Sequence, residues 1–338
     1  MNPFTSKANP VLFIAEIGGN HEGDFAYAQQ LLQLGLESGA DIIKFQIYSG
    51  DTLVSSLERP DLNKHFKRFE LSAEQYIALA EACIAGGAMF MASVWNAAAI
   101  DRVDRYIPIH KVGSGDLTCT PLIRKLVQTG KPIILSTGLS SLAEIEATVR
   151  FVEKTDPAYI SERKLALLQC TSSYPCPDED VHLLAMETLK SEFGLPVGFS
   201  DHSIGSLAVE AAVAMGAEII EKHFTDTRDG KEFRDHKVSL TRDELRELLP
   251  RLRRIVTLRG SAKKHLTVAE SDAAHQLSFR RAIYPARDIA AGEVFSEDNL
   301  TVLRPAHGLA ADRFDEIVGK VARRALKAHE ALREEDVG

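Results

Sequence analysis

Two histidines, His202 and His223, each end a short apolar run within residues 197–224, VGFSDHSIGSLAVEAAVAMGAEIIEKHF. Val197-Gly198-Phe199 and Glu218-Ile219-Ile220 read as strands, and residues 207–215 repeat apolar side chains at helical spacing, so the unit reads as β-α-β. A crossover of this length brings both imidazoles to the carboxyl edge of one parallel sheet, within reach of a single ion or substrate oxygen. On spacing alone, two unrelated surface histidines are an equally good reading. What decides between the two is whether other strands deliver polar groups to the same edge.

The elements that would do so are plain in the pattern. Apolar runs begin at Val11, Asp41, Ala88, His110, Pro132, Leu165, Pro196 and Glu218. Amphipathic segments at residues 26–40, 73–88, 121–130, 142–154 and 242–256 separate or follow them. Local punctuation agrees: Gly39, Gly86 and Gly130 read as helix ends, Thr120 before Pro121 as an N-cap, and Ser141 with Glu144 as a capping box. Eight strand–helix units in about 250 residues predict an α/β fold, a parallel (β/α)8 TIM barrel. A doubly wound sheet shares the alternation, but no G-x-G-x-x-G follows the first strand.

In such a barrel the carboxyl ends of the strands form the active-site face. Nearly every strand places a polar residue there: Glu16, Lys44, Gln46, Lys111, Ser114, Ser136, Ser172, Tyr174, Ser200, His202 and His223. Singly, each reads as a solvated strand end or a cap; together they describe a site. Lys44 and Lys111 sit in apolar strands, where an ammonium is costly unless it meets an anion, so a carboxylate or phosphate ligand is expected. Ser114 and Ser136 lie in the Gly-flanked loops GSGD and STGLSS, which present backbone N–H groups to phosphate oxygens. The two histidines with a nearby carboxylate, Asp235 or Glu16, suit a divalent manganese, zinc or iron ion that polarises a carbonyl. The expected chemistry is condensation of a phosphorylated or carboxylated donor with an aldehyde or ketone.

Composition bounds the partners. The chain has 338 residues and a formal net charge of −8, with 45% hydrophobic and 26% charged residues. That balance is a globular enzyme's, and its sign argues against nucleic acid or an anionic membrane as partner. Cys83, Cys119, Cys170 and Cys176 are scattered, as expected of buried or incidental thiols in a reducing compartment. The amino-terminal MNPFTSKANP has no apolar leader and no segment matches a membrane span, so a cytoplasmic protein is expected. From about Arg280 the character changes to short β-like pieces broken by Ala-Gly and Asp-Asn turns, with a helical stretch near DRFDEIVG. The organisation expected is a barrel over 1–260, a linker over 261–279 and a small β-rich domain over 280–338, with Arg280 and Arg281 at its entrance as a solvated pair or an anion clamp.

Eight motifs, in order along the chain, resemble the sialic acid synthase family: AEIGGNHEGD at Ala15, IIKFQ at Ile42, KVGSGDL at Lys111, GKPIILSTG at Gly130, CTSSYPCP at Cys170, FSDHSIG at Phe199, EKHFT at Glu221 and RRAIYPARDIAAGE at Arg280. The resemblance implies a nonulosonic acid synthase, which joins phosphoenolpyruvate to an N-acylated amino sugar with release of phosphate. It also implies a carboxyl-terminal antifreeze-like (SAF) domain and a domain-swapped homodimer in which that domain covers the partner's site. By the same resemblance His202 and His223 hold a metal, manganese in first place with magnesium or cobalt as alternatives. Lys44, Lys111, Ser114, Ser136 and Ser200 match positions that hold phosphoenolpyruvate; Gln46, Tyr174 and Asp235 match positions near the sugar. Glu16 matches the catalytic carboxylate, and Arg281, or else Arg280, the SAF-domain arginine that reaches the sugar.

The departures fall on the acceptor side. N-acetylneuraminate producers often have Asn at the position of Ser172 and approach the sugar-binding aspartate through Gly-Pro, where this chain reads Phe233-Arg234-Asp235. Residues 49–69 have no confident match. An acceptor other than N-acetylmannosamine is therefore expected to fit as well, including the diacetamido sugars that lead to legionaminic or pseudaminic acid. Two other readings stand beside this one: a synthase of the deoxy-octulosonate phosphate type, acting on a phosphorylated aldose, and a non-catalytic sugar-binding scaffold.

Overall fold

The computed structural model describes residues 3–6 and 9–338; Met1, Asn2, Lys7 and Ala8 of the amino-terminal segment lie outside them. Eight parallel strands close into a barrel in chain order, β1 (Leu12–Gly18), β2 (Ile42–Ile47), β3 (Met89–Val94), β4 (His110–Val112), β5 (Ile133–Ser136), β6 (Leu165–Cys170), β7 (Val197–Asp201) and β8 (Ile219–His223). Every one lies inside an apolar run read from the sequence. The runs are apolar throughout because these strands bury both faces.

The two-residue period sorts the side chains. Leu12, Ile14, Ile42, Met91, Ile134, Leu168 and Ile219 form one core cluster, the barrel's filling, with Phe4 packed among them. Their sequence neighbours Phe13, Ile43, Phe90, Ile133, Leu167 and Ile220 belong to a second, larger core shared with the helices. Polar residues therefore continue the inward rows of β1, β2, β4 and β8 only where the apolar filling stops. Ile14 gives way to Glu16, Ile42 to Lys44 and Gln46, Ile109 to Lys111, and Ile219 to Glu221 and His223.

Helices flank the strands as the pattern predicts, at Phe25–Ser38, Ala73–Ala85, Leu142–Thr155 and Arg242–Arg259. Ser141 and Glu144 form the expected capping box, worth ~1 kcal/mol. Other end signals differ by a residue. Thr120 is the first residue of the helix Thr120–Val127 rather than its cap, and Cys119 in the cap position makes no side-chain bond. Gly86 keeps right-handed backbone, and it is Gly87, at φ +88°, that turns the chain out of that helix. Gly130 turns the chain at φ +72°, three residues beyond the helix end. The stretch 49–69 forms the short helices Gly50–Leu53 and Pro60–Arg68.

A second compact unit spans Ser261–Gly338. Residues 261–279 carry a 3-10 turn at Val268–Glu270 and the helix Ala273–Phe279. Beyond them β9 (Ala282–Pro285) pairs antiparallel with β10 (Leu300–Leu303), and Ile283, Ile289, Phe295, Leu300, Ile317 and Leu326 give the unit its own core. Among the described residues, no helix is long and apolar enough to cross a membrane.

Candidate active site

The carboxyl ends of the barrel strands open into a cavity of about 1100 Å³. Eleven of the residues expected there line it: Glu16, Lys44, Gln46, Lys111, Ser114, Ser136, Ser172, Tyr174, Ser200, His202 and His223; Asp235 lines it as well. Strand register explains the convergence. Glu16 stands opposite both Lys44 and His223, Ser93 opposite both Gln46 and Lys111, and Ser200 opposite Glu221.

The floor is a buried charge network. Lys44 Nζ lies 2.6 Å from Glu16 Oε2 and 3.5 Å from Glu221 Oε2. Lys111 Nζ lies 3.5 Å from Glu221 Oε1 and donates to Ser136 Oγ at 2.7 Å and to the Val112 carbonyl at 3.0 Å. The lysines thus already meet anions supplied by the chain, Glu16 and Glu221, before any ligand carboxylate or phosphate. Glu221 is the site residue that the sequence reading passed over, although it stands in the quoted EKHFT. Its signal was available: it continues the inward row from Ile219, two residues before His223.

The two carboxylates are held in unlike states. Burial pushes the Glu16 carboxyl up to about 7, with Lys44 drawing it back. Glu221 is equally buried, but Lys111 and Lys44 together hold it down at about 2, helped by Ser200 Oγ donating at 2.8 Å. Unequal environments at neighbouring carboxyls are how a fold assigns one a proton and leaves the other charged. Glu16 is also oriented, since Gln46 Nε2 donates to its Oε1 at 2.8 Å. Gly18, at φ +56°, turns the chain above it; a Cβ there would stand 3.1 Å from Glu16 Oε1 and 3.3 Å from the His223 ring.

The His202 and His223 ring centroids are 5.6 Å apart. His202 Nδ1 lies 2.8 Å from the Thr171 carbonyl and 3.8 Å from Cys170 Sγ. Burial works against a charge on His202, but Cys170 and that carbonyl outweigh it and raise its pKa. His223 is driven well below the usual imidazole range, by burial first and then by His202 and Lys44, and its buried Nδ1 has no partner. Cys170 is buried, one of the two alternatives expected, and lines the cavity between His202 and Ser114. Among the described residues no group of three or more His, Cys, Asp or Glu forms a ready-made cluster around an ion. Glu16 is engaged by Lys44 and Gln46, and Asp235 by Arg234 Nε at 3.2 Å.

Behind the histidines runs a second buried pair. Lys222 Nζ lies 2.6 Å from Asp201 Oδ2 and donates to the Ser203 carbonyl at 2.6 Å, while Asp201 Oδ1 accepts from Ser203 N–H at 2.8 Å. Each partner precedes one of the histidines, so the pair fixes the strand ends that carry them.

Two loops make a cradle of small residues. Ser114 Oγ accepts from Gly138 N–H at 3.1 Å. A Cβ at Gly138 would fall 2.7 Å from Ser172 Oγ and 2.8 Å from Ser114 Oγ, so any larger residue would push both hydroxyls aside. The outer wall is aromatic, with Tyr48, Phe66, Trp95, Phe69 and Phe233 lining the cavity and the Tyr174 ring 4.0 Å from that of His202. Arg234 lies over Tyr174, its Cζ 4.4 Å from the ring centre. Arg280 and Arg281 are described within the second unit, where Arg281 Nη1 donates to the Val302 carbonyl at 3.0 Å.

Comparison with known proteins gives this cavity a family. The NeuB family model matches residues 31–264 and the SAF domain model residues 280–338. An N,N'-diacetyllegionaminic acid synthase of Campylobacter jejuni is 34% identical over 96% of this chain and 99% of its own, and one of Legionella pneumophila is 36% identical over 90% and 88%. The crystal structure of an N-acetylneuraminic acid (sialic acid) synthetase from Leptospira borgpetersenii superposes with a TM-score of 0.73 at 32% identity, covering 79% of this chain and 90% of that one. With a closed eight-stranded barrel, polar strand ends gathered in one cavity and both models matched in order, this chain belongs to the NeuB family and carries a carboxyl-terminal SAF domain.

Proposed function

We propose that the chain is a nonulosonic acid synthase, condensing phosphoenolpyruvate with an N-acylated amino sugar, a diacetamido sugar or N-acetylmannosamine, and releasing phosphate. The observation that carries this reading is the cavity floor: two buried lysines balanced by two carboxylates of unlike basicity, beneath two imidazoles. Family membership and relatives named as diacetyllegionaminic acid synthases support the product class.

In this reading Lys44 and Lys111 offset the donor's negative charge, and the loops of Ser114 and Ser136 receive its phosphate. The donor's C3 attacks the acceptor's aldehyde carbon, whose oxygen takes a proton. Water adds at the donor's C2, and the bond from that carbon to the phosphate oxygen breaks. Glu16, populated in both forms near neutrality, gives or takes these protons, with Lys44 and Gln46 holding its two oxygens. Excluding water from the floor strengthens each of these charge interactions.

The residues present fit a divalent cation. His202 has its Nδ1 against a backbone carbonyl, which leaves the opposite nitrogen to bind, and His223 holds an unpartnered buried nitrogen. Manganese is the ion proposed; held by His202 and His223, it supplies Lewis acidity to the acceptor's carbonyl oxygen. The proposal extends to a domain-swapped homodimer in which Arg281, or else Arg280, serves the partner's site.

The test is phosphate release from phosphoenolpyruvate by metal-stripped enzyme, with and without manganese, across N-acylated amino sugars and phosphorylated aldoses. Release that needs both manganese and one unphosphorylated acylated sugar is the expected result. Turnover only with a phosphorylated aldose, or none with any acceptor, overturns it.

A further inference from the structure

The inward rows of β2 and β3 do not stop at the charged layer. Lys44, Gln46 and Tyr48 follow one another at two-residue intervals, as do Met91, Ser93 and Trp95, and register sets Lys44 beside Met91 and Gln46 beside Ser93. The ladder runs one step further, with Trp95 N–H donating to the Ile47 carbonyl at 2.9 Å. Tyr48 and Trp95 therefore stand one layer above the polar floor, stacked with centroids 5.1 Å apart and planes 20° apart. Phe66, from the helix Pro60–Arg68, meets Tyr48 edge-on at 5.1 Å and Trp95 edge-on at 6.3 Å. All three line the cavity.

Within this aromatic corner the Trp95 Nε1–H is buried and has no hydrogen-bond partner. A buried donor without an acceptor costs free energy, and an indole N–H normally finds one. Gly113 borders it: a Cβ there would meet Nε1 alone, at the ordinary contact distance of 3.7 Å, and glycine leaves that position unfilled. The corner carries no cation, and aromatic faces repel anions, so it does not suit the donor's carboxylate or phosphate, which belong with the lysines one layer down. What it does suit is a small neutral group with one carbonyl oxygen and one apolar end.

We propose that Tyr48, Phe66 and Trp95 form a pocket for an acylamido group of the acceptor, its carbonyl accepting from Trp95 Nε1–H and its methyl lying against the rings of Phe66 and Tyr48. This rests on the acceptor being an N-acylated amino sugar, and it gives Phe66, from the stretch 49–69 read without a confident match, a part in recognising that acyl group. Residue 66 and its helix then discriminate among acceptors.

Trp95 is the chain's one tryptophan, so its emission reports on this pocket alone. The full-length enzyme, stripped of metal and holding inorganic phosphate, is titrated with a diacetamido sugar, with N-acetylmannosamine and with unacylated mannosamine; phosphoenolpyruvate is titrated separately into the phosphate-free enzyme. Acylated sugars are expected to shift the emission, and mannosamine and phosphoenolpyruvate to leave it in place. Trp95→Phe keeps the ring and removes the donor, and raises KM for the acylated acceptor ~10-fold, the size of one hydrogen bond, with KM for phosphoenolpyruvate unaltered. Phe66→Leu keeps the reporter and weakens acylated sugars selectively. Emission that follows phosphoenolpyruvate instead of sugar, or variants that favour acylated over unacylated sugars as strongly as the parent does, overturn the pocket. Failure of the synthase reading looks different: no phosphate release by the parent enzyme, whatever the emission does.

Discussion

The floor of the cavity and its outer wall are built by different means. On the floor, Glu16, Lys44, Lys111, Ser136, Ser200, Glu221 and His223 all stand on barrel strands, so the hydrogen-bonded ladder fixes their positions. On the wall, Phe66 and Phe69 come from the excursion between β2 and β3, and Phe233, Arg234 and Asp235 from the one after β8. The floor offers charge and the wall offers ring faces. A chemistry common to many acceptors belongs on the rigid layer, and the choice of acceptor belongs on the excursions, which change sequence without disturbing the barrel.

The division is broken most sharply at Lys111. Lys111→Met removes one of the two cations holding Glu221 ionised and is expected to lower kcat/KM for phosphoenolpyruvate ~10³-fold, a loss typical of breaking a buried charged pair. Steady-state phosphate release checks it, and an equal rise in KM for the acceptor would erase the distinction between floor and wall.

A second buried pair tests whether charge within the barrel serves ligands or the fold. Lys222 and Asp201 are fully buried and outside the cavity lining. Lys222→Met leaves Asp201 unpaired and should cost ~3 kcal/mol in urea unfolding, with Asp201→Asn in the same chain recovering part of it. Stability unchanged by the single substitution would mean that the strand ends are held without the pair.

The smallest effect is a titration. Protonating Glu16 leaves Lys44 with less compensation, so metal-stripped enzyme should bind sulfate about tenfold more tightly as the pH falls from roughly 8 to 6, and Glu16→Gln should flatten that dependence. Sulfate does not itself titrate in this range. The same raised pKa makes a contribution to stability that is complete below the unperturbed 4.5 and lost as the pH rises through about 7. A slope of opposite sign would mean that Glu16 is not the group that takes up the proton.

Most of the fold was legible because a parallel barrel writes itself as apolar runs alternating with amphipathic ones, and all eight runs became strands. The floor was legible for the same reason: a charge inside an apolar run has few bland explanations. Three things were not. Glu221 was hidden beside the more conspicuous His223, since its pairing with two lysines from β2 and β4 is a matter of register. Cys170 read only as a buried or incidental thiol, its neighbour unknown, because nothing in the sequence brings residue 202 to it. The partners of the two carboxylates near the histidines, Arg234 for Asp235 and Lys44 for Glu16, are likewise set by the fold and not by spacing.

The sequence by itself determined the barrel, the strand-end residues and the family, because period, punctuation and motif order are one-dimensional signals. Only the tertiary structure decided which cation meets which anion, which carboxyl holds a proton and which rings close the outer wall. Those depend on distances of a few ångströms between residues far apart in the chain, where burial multiplies each charge interaction and a single strand shift would exchange every partner.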